Sequence, residues 1–193
     1  MAFSEQELVT IRQTMLDKAR QCAISVGVKL TSLEVITETS NIAKGSFYRF
    51  FPSKELLYLE VLKGIEQETY KAAGEAIQSE NALPAFEVAS KMTLSACKHL
   101  HTSGVVPFIK KDVQYLLSRL PAEERKAHDE QYKANILALL KAAGLQPKCS
   151  FDLAVATIQL LVLTVLHWDR IGGLYQQEVI ETVIRGTCRE LFD

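Results

Sequence analysis

Residues Thr31 to Leu57 read TSLEVITETSNIAKGSFYRFFPSKELL, and the spacing within this stretch decides the fold. Thr31-Ser32-Leu33-Glu34 has the form of a capping box, in which a hydroxyl and a carboxylate satisfy backbone N–H groups left open at a helix start. It opens a short helix that reaches Thr39. Ser40-Asn41 follows, and asparagine is among the few non-glycine residues that tolerate a left-handed turn. A second short helix runs from Ile42 to Tyr48, and Pro52 breaks the chain after it. Ile36, Ile42 and Phe47 are the apolar contacts expected to set the angle between the two helices. Two short helices across a tight turn, with a supporting helix before them, have the organisation of a helix-turn-helix. The second helix of that motif enters the DNA major groove.

The flanking sequence supplies the support. Upstream, Ser4 and Glu7 form another capping box. Leu8, Ile11, Met15, Ala19, Cys22 and Val26 then recur at helical spacing until Gly27 stops the helix. Downstream, Leu56, Leu59, Leu62, Ile65, Thr69, Ala73 and Ile77 describe a long helix from Ser53, of about seven turns. Asn81 and Pro84 open a helix ending near His101, and Thr102-Ser103-Gly104 is a loop. A single helix then carries Phe108, Val113, Leu116 and Leu117. Pro121 fits the first turn of the next helix, where its missing N–H costs nothing, and Gly144 caps that helix. Ser150 caps an apolar helix that ends at Gly172-Gly173, and a last helix covers Gln176 to Phe192. No strand alternation or sequence repeat is present. The chain is expected to be all-α, with about nine helices.

Composition agrees. Of 193 residues, 48% are hydrophobic and 23% charged, a globular profile rather than a disordered one. The net charge of −1 gives the whole chain no general attraction for a polyanion, so any nucleic-acid surface must be local. The quoted stretch contains one: Lys44 and Arg49 lie between Ile42 and Ser53, Lys54 follows, and no acid intervenes before Glu55. Cys22, Cys97, Cys149 and Cys188 are scattered without a CxxC pair, which is neither a disulfide framework nor a zinc spacing. His99 and His101, two apart, do not share a helix face, and no metal or cofactor is expected. The segment from Phe151 to Leu166 is interrupted by Asp152, Thr157, Gln159 and Thr164 and is shorter than a bilayer requires. It reads as a buried helix. With no secretory leader evident, the expected location is the cytoplasm. No G-x-S-x-G elbow, phosphate-cradling loop, H-E-x-x-H or dinucleotide fingerprint is present, so an enzyme is not expected.

Ile36 to Leu57 resembles the DNA-binding signature of the tetracycline-repressor (TetR) family, a run of the form I-A-x-x-A-G-V-S-K-G-T-L-Y-x-x-F-x-S-K-E-x-L. Lys44-Gly45, Tyr48, Phe51 and Ser53-Lys54-Glu55 fall on its characteristic positions, and the similarity extends over residues 11 to 62. Three positions depart. Ser40-Asn41 stands where the family favours alanine-glycine, and Ala23 replaces an aromatic late in the first helix. Ala43 replaces a serine or threonine at the start of the recognition helix, removing one hydrogen bond to phosphate or base.

The resemblance implies an N-terminal three-helix DNA-binding domain over residues 1–52 and a helical ligand-binding and dimerisation domain over 53–193. Thr31 and Ser32 would meet phosphate at a helix N-terminus. Ala43, Lys44, Gly45 and Ser46 would face base edges, with Tyr48, Arg49 and Lys54 on the backbone. It implies a homodimer joined by the two C-terminal helices, on a palindromic operator in double-stranded DNA. It also implies a small-molecule effector held among the middle helices. Met92, Cys97, Phe108, Tyr115, Tyr132 and Trp168 are bulky and polarisable enough to line such a cavity. The expected function is a transcriptional repressor released by its ligand. The alternative on the same scaffold is a thiol-based redox regulator, for which Cys149, before the Ser150 cap, is the candidate.

Overall fold

Helix caps set the architecture. The computed structural model of the protein describes residues 4–77, 83–167 and 175–192. Among these are nine α-helices and one 3-10 helix, with no strand. Helix α1 (Glu5–Ser25) starts on the expected capping box: the Ser4 hydroxyl accepts from Glu7 N while Glu7 Oε2 accepts from Ser4 N at 2.7 Å. It stops at Gly27, whose φ of +91° is left-handed backbone.

Helix α2 (Leu33–Glu38) begins one residue later than the sequence pattern suggests. Ser32, not Thr31, is its cap and accepts from Val35 N at 3.4 Å. Asn41 takes the expected left-handed conformation, φ +51°. The next element corrects the reading more substantially, because Lys44–Arg49 is a 3-10 helix rather than an α-helix over 42–48. A helix of six residues, set between a left-handed turn and Pro52, is too short for the longer hydrogen-bond ladder to gain much over i→i+3 bonds.

Helix α3 (Lys54–Glu75) follows, capped by the Ser53 hydroxyl, which accepts from Leu56 N. Then come α4 (Ala85–Thr102), α5 (Val106–Lys111), α6 (Val113–Arg119), α7 (Ala122–Ala142), α8 (Phe151–Leu166) and α9 (Gln176–Phe192). The single helix expected around Phe108 to Leu117 is two, broken at Asp112. Asn81 and Gly172-Gly173, read as punctuation, lie outside the described residues. Gly144, φ +69°, closes α7 in a Schellman arrangement. Its N–H reaches Lys141 O while Leu145 N reaches Leu140 O at 3.0 Å, satisfying carbonyls that the helix end leaves open. Ser150 caps α8 as expected, accepting from Leu153 N.

By contacts the chain forms two compact units, residues 1–66 with 104–122, and 67–103 with 123–193. The division expected at residue 52 is one of role; this one is of packing. In the first unit, Met15, Ala19, Ile36, Phe47, Phe51, Leu57 and Tyr58 are almost wholly buried, and Val105, Phe108 and Leu116 on the later segment are too. In the second, α4 packs on α8 and α9. Its face of Phe86, Ala89, Met92, Ala96 and Cys97 shares one core with Ala154, Val155 and Val165 of α8, and with Ile184, Cys188, Leu191 and Phe192 of α9. Each large aliphatic side chain so buried contributes about 1.5–3 kcal/mol before entropy is charged. No helix of the described residues is long and apolar enough to cross a membrane.

Candidate nucleic-acid interface

The 3-10 helix is a small platform held from behind by one ring. Phe47 is fully buried, tilted against Phe51 at 5.8 Å and edge-on to Tyr48 at 5.4 Å. The side chains around it point away: Ala43, Lys44, Tyr48 and Arg49 are exposed and Ser46 is half-buried. Tyr48, at 60% exposure, leaves its hydroxyl to solvent, which is unusual for a ring unless something polar meets it. Around the position where Gly45 would carry a Cβ there is open space, with nothing within 4 Å, and its backbone is not left-handed. The fold therefore does not require glycine at this position. A flat, side-chain-free spot beside a lysine and a tyrosine suits a surface that must approach a partner closely.

Charge on the platform is already engaged. Lys44 Nζ lies 2.5 Å from Glu34 Oε1 on α2. This bond, followed by Glu34's own backbone N–H and the Ser32 hydroxyl, holds the Glu34 carboxyl down at about 2, and the same carboxylate raises the Lys44 pKa. Because the carboxyl is depressed, the pair supports the fold fully above the ordinary carboxylate range. That support is lost as pH falls towards 2. Sequence reading gave Glu34 to the helix cap and missed this pairing, since two residues ten apart across a turn carry no periodic signal.

The remaining expected DNA contacts differ in exposure. Ser32 is exposed at the start of α2, whereas Thr31 is 3% exposed and its hydroxyl donates to Gly27 O at 2.8 Å. Thr31 thus serves the turn between α1 and α2, and the outward hydroxyl is that of Ser32. Lys54 is partly exposed at the first turn of α3, its pKa lowered by burial, with the Glu55 and Asp112 carboxylates acting against that.

Of the residues expected to line a ligand cavity, three belong to the second unit and two to the first. Met92 and Cys97 are in the core of the second unit, with Tyr132 packed against it and stacked near Tyr70 at 6.0 Å and His128 at 6.3 Å. Phe108 and Tyr115 belong to the first unit. Phe108 is fully buried, and Tyr115 holds the Lys29 ammonium 4.4 Å from its ring centroid. Trp168 lies outside the described residues. An open depression of about 410 Å³ on the second unit is lined by Lys148, Cys149, Leu153, Thr157, Thr187, Glu190 and Leu191; of these the sequence singled out only Cys149 as a candidate site, and as a thiol rather than as a cavity residue. Cys22, Cys97 and Cys188 are buried and Cys149 is half-buried. Burial pushes the Cys97 thiol up to about 12 and raises that of Cys188, so neither is a ready thiolate.

On α8 and α9 an apolar face remains uncovered. Leu153 (55% exposed), Leu160 (65%) and Leu163 (43%) share one side of α8, while Val179 and Val183 are about 40% exposed on α9.

Comparison with known proteins places this geometry in context. Residues 15–61 match the family described as bacterial regulatory proteins, tetR family. The uncharacterized HTH-type transcriptional regulator YhgD of Bacillus subtilis is 22% identical, over 82% of this chain and 84% of its own. A structure from Shewanella sp. PV-4, assigned to the tetR family of transcription regulators, superposes with a TM-score of 0.69 at 18% identity, covering 95% of this chain and 98% of that one. FadR from Bacillus subtilis, in complex with stearoyl-CoA, gives 0.65 at 14% identity over 91% and 96%. At these identities the structures establish a shared fold.

Proposed function

We infer, from a chain that belongs to the tetR family of bacterial regulatory proteins through residues 15–61, that this transcriptional regulator is a cytoplasmic repressor. As a homodimer it grips a palindromic operator and releases it when a small molecule binds. The observation that carries the reading is the outward-facing set Lys44, Gly45, Tyr48 and Arg49 on a helix locked by Phe47 behind it. Ala43, Lys44, Gly45 and Ser46 face base edges. Tyr48, Arg49, Lys54 and Ser32 grip phosphates, with Thr31 shaping the turn that presents Ser32. In the division by role, residues 1–52 read DNA and residues 53–193 dimerise and take the effector.

The uncovered apolar stripe on α8 and α9 supports a two-fold pairing, because scattered exposed leucines are ordinary but an aligned set across two helices is not. The effector site draws on Met92, Cys97 and Tyr132. An acyl-CoA is the first ligand to try, since FadR is bound to stearoyl-CoA. Arg49 and Lys54 from each of two subunits, meeting phosphates, give an affinity falling with salt at a log–log slope of roughly −4.

Selection of sites from a random duplex library at moderate salt tests the reading. Enrichment of a palindrome is expected, and its loss in a Lys44→Ala/Tyr48→Phe protein of unchanged helix content. A well-folded wild-type dimer that enriches nothing, even at low salt, overturns it.

Glu34 supplies a second test. A base edge must compete with the Glu34 carboxylate for Lys44, and that carboxylate also repels the polyanion, so Glu34→Gln is expected to raise duplex affinity about two- to fivefold, most at low salt. An unchanged or weaker affinity in a titration series would show that Glu34 aims Lys44 rather than restraining it.

A further inference from the structure

A buried carboxylate stands outside every role assigned so far. Asp112, 6% exposed, occupies the break between α5 and α6, ending one helix and preceding the other. Neither helix takes a cap hydrogen bond from its side chain. Instead its Oδ2 accepts from Val28 N at 3.2 Å, a bond across 84 residues of sequence. Val28 is itself 3% exposed and follows Gly27. A Cβ on Gly27 would stand 2.9 Å from the same Oδ2, and the φ of +91° disfavours any side chain there. The turn between α1 and α2 is thus shaped around this carboxylate, with glycine making room for it.

What the turn leads to gives the contact a purpose. Four residues after Val28 comes Ser32, the cap of α2, and between them Thr31 bonds back to Gly27 O. Lys54 and Tyr58 on α3 both sense the negative charge of Asp112. Next to it, Lys29 lies over the Tyr115 ring on α6, a second tie between the same turn and the same segment. Leaving a carboxylate buried in this way is costly unless its partners are fixed, so Asp112 and the turn hold each other in one arrangement.

We propose that Asp112 is a positioning residue for DNA binding: by clamping the α1–α2 turn through Val28 it fixes the start of α2. Residues 104–122 then belong to the reading head. This rests on the DNA-binding reading above and adds a residue far from the helix-turn-helix in sequence.

The test compares wild type, Asp112→Asn and Asp112→Ala as full chains, below the unfolding midpoint of each. Asparagine keeps an acceptor oxygen for Val28 N; alanine does not. Amide hydrogen exchange without DNA is expected to speed up about tenfold or more over residues 27–33 in Asp112→Ala, with α8 and α9 unchanged. Affinity for a pool of random-sequence duplexes at low salt is expected to fall about tenfold in the same variant and to stay within about threefold in Asp112→Asn. Should Asp112→Ala not fold, Gly27→Ala, whose Cβ displaces the carboxylate, is expected to show the same two changes. Wild-type protection over 27–33 in folded Asp112→Ala overturns the clamp. Loosening there with unaltered duplex affinity overturns the positioning role. A wild type that binds no duplex sinks the DNA reading and the role with it, while the exchange data still decide whether the clamp exists.

Discussion

Leu160→Glu, on the proposed pairing through α8 and α9, is expected to yield a monomer and to weaken binding to the proposed operator by about a hundredfold or more. Leu160 is the most exposed member of the α8 stripe, at 65%, flanked along the helix by Leu153 and Leu163. In a two-fold contact its carboxylate replacement would be buried near the axis, close to its symmetry copy, and desolvating two like charges is prohibitive. The loss in affinity follows from avidity. One reading head gains little alone, whereas a second, tethered through the dimer, meets its half-site at high effective concentration. Sedimentation velocity and fluorescence anisotropy measure the two effects on the same sample. Leu30→Glu is the control, since Leu30 is 81% exposed but lies on the α1–α2 turn and should leave the oligomeric state alone. A Leu160→Glu protein that still sediments as a dimer would place the interface elsewhere.

Phe47→Ala is expected to cost about 3–5 kcal/mol, which is a large part of the 5–15 kcal/mol by which ordinary domains are stable. The ring is fully buried and meets both Phe51 and Tyr48, so truncation leaves a cavity beneath the platform that carries Lys44 and Arg49. DNA binding should vanish together with cooperative unfolding of the first unit in urea. Phe47→Leu, which keeps most of the volume, should cost no more than about 1.5 kcal/mol. A Phe47→Ala protein that unfolds at the wild-type denaturant midpoint would mean that the platform is anchored by something other than this ring.

The features legible in sequence were those encoded locally. The Ser4–Glu7 box, the Ser150 cap, the stops at Gly27 and Gly144 and the left-handed Asn41 all appear where their residue types demand, because each depends on backbone groups within a few positions. The helix-turn-helix was legible for the same reason, together with its signature residues. Features set by distant packing were not. Whether residues 44–49 adopt 3-10 or α geometry depends on how Phe47 is buried, and six residues hold too little intrinsic preference to decide it. The Glu34–Lys44 pair and the Val28–Asp112 bond join residues with no shared period. Bulk and polarisability, the signals that point to ligand-lining residues, are properties that core residues share, and Met92, Cys97 and Phe108 are all buried.

The first unit closes its core with residues 104–122, and this has a consequence for how the protein is made. During synthesis the helix-turn-helix emerges early but lacks Val105, Phe108 and Leu116 until the ribosome has passed residue 122, after all of α4 has been translated. The nascent head must therefore wait, partly formed, through more than a third of the remaining chain. The same interleaving governs inheritance. A recombination event that joined residues 1–66 to a foreign C-terminal region would deliver a recognition surface with an unfinished interior. On the proposed role of the platform, exchange of DNA specificity is then confined to substitutions on the platform itself, or to crossovers that carry both segments together.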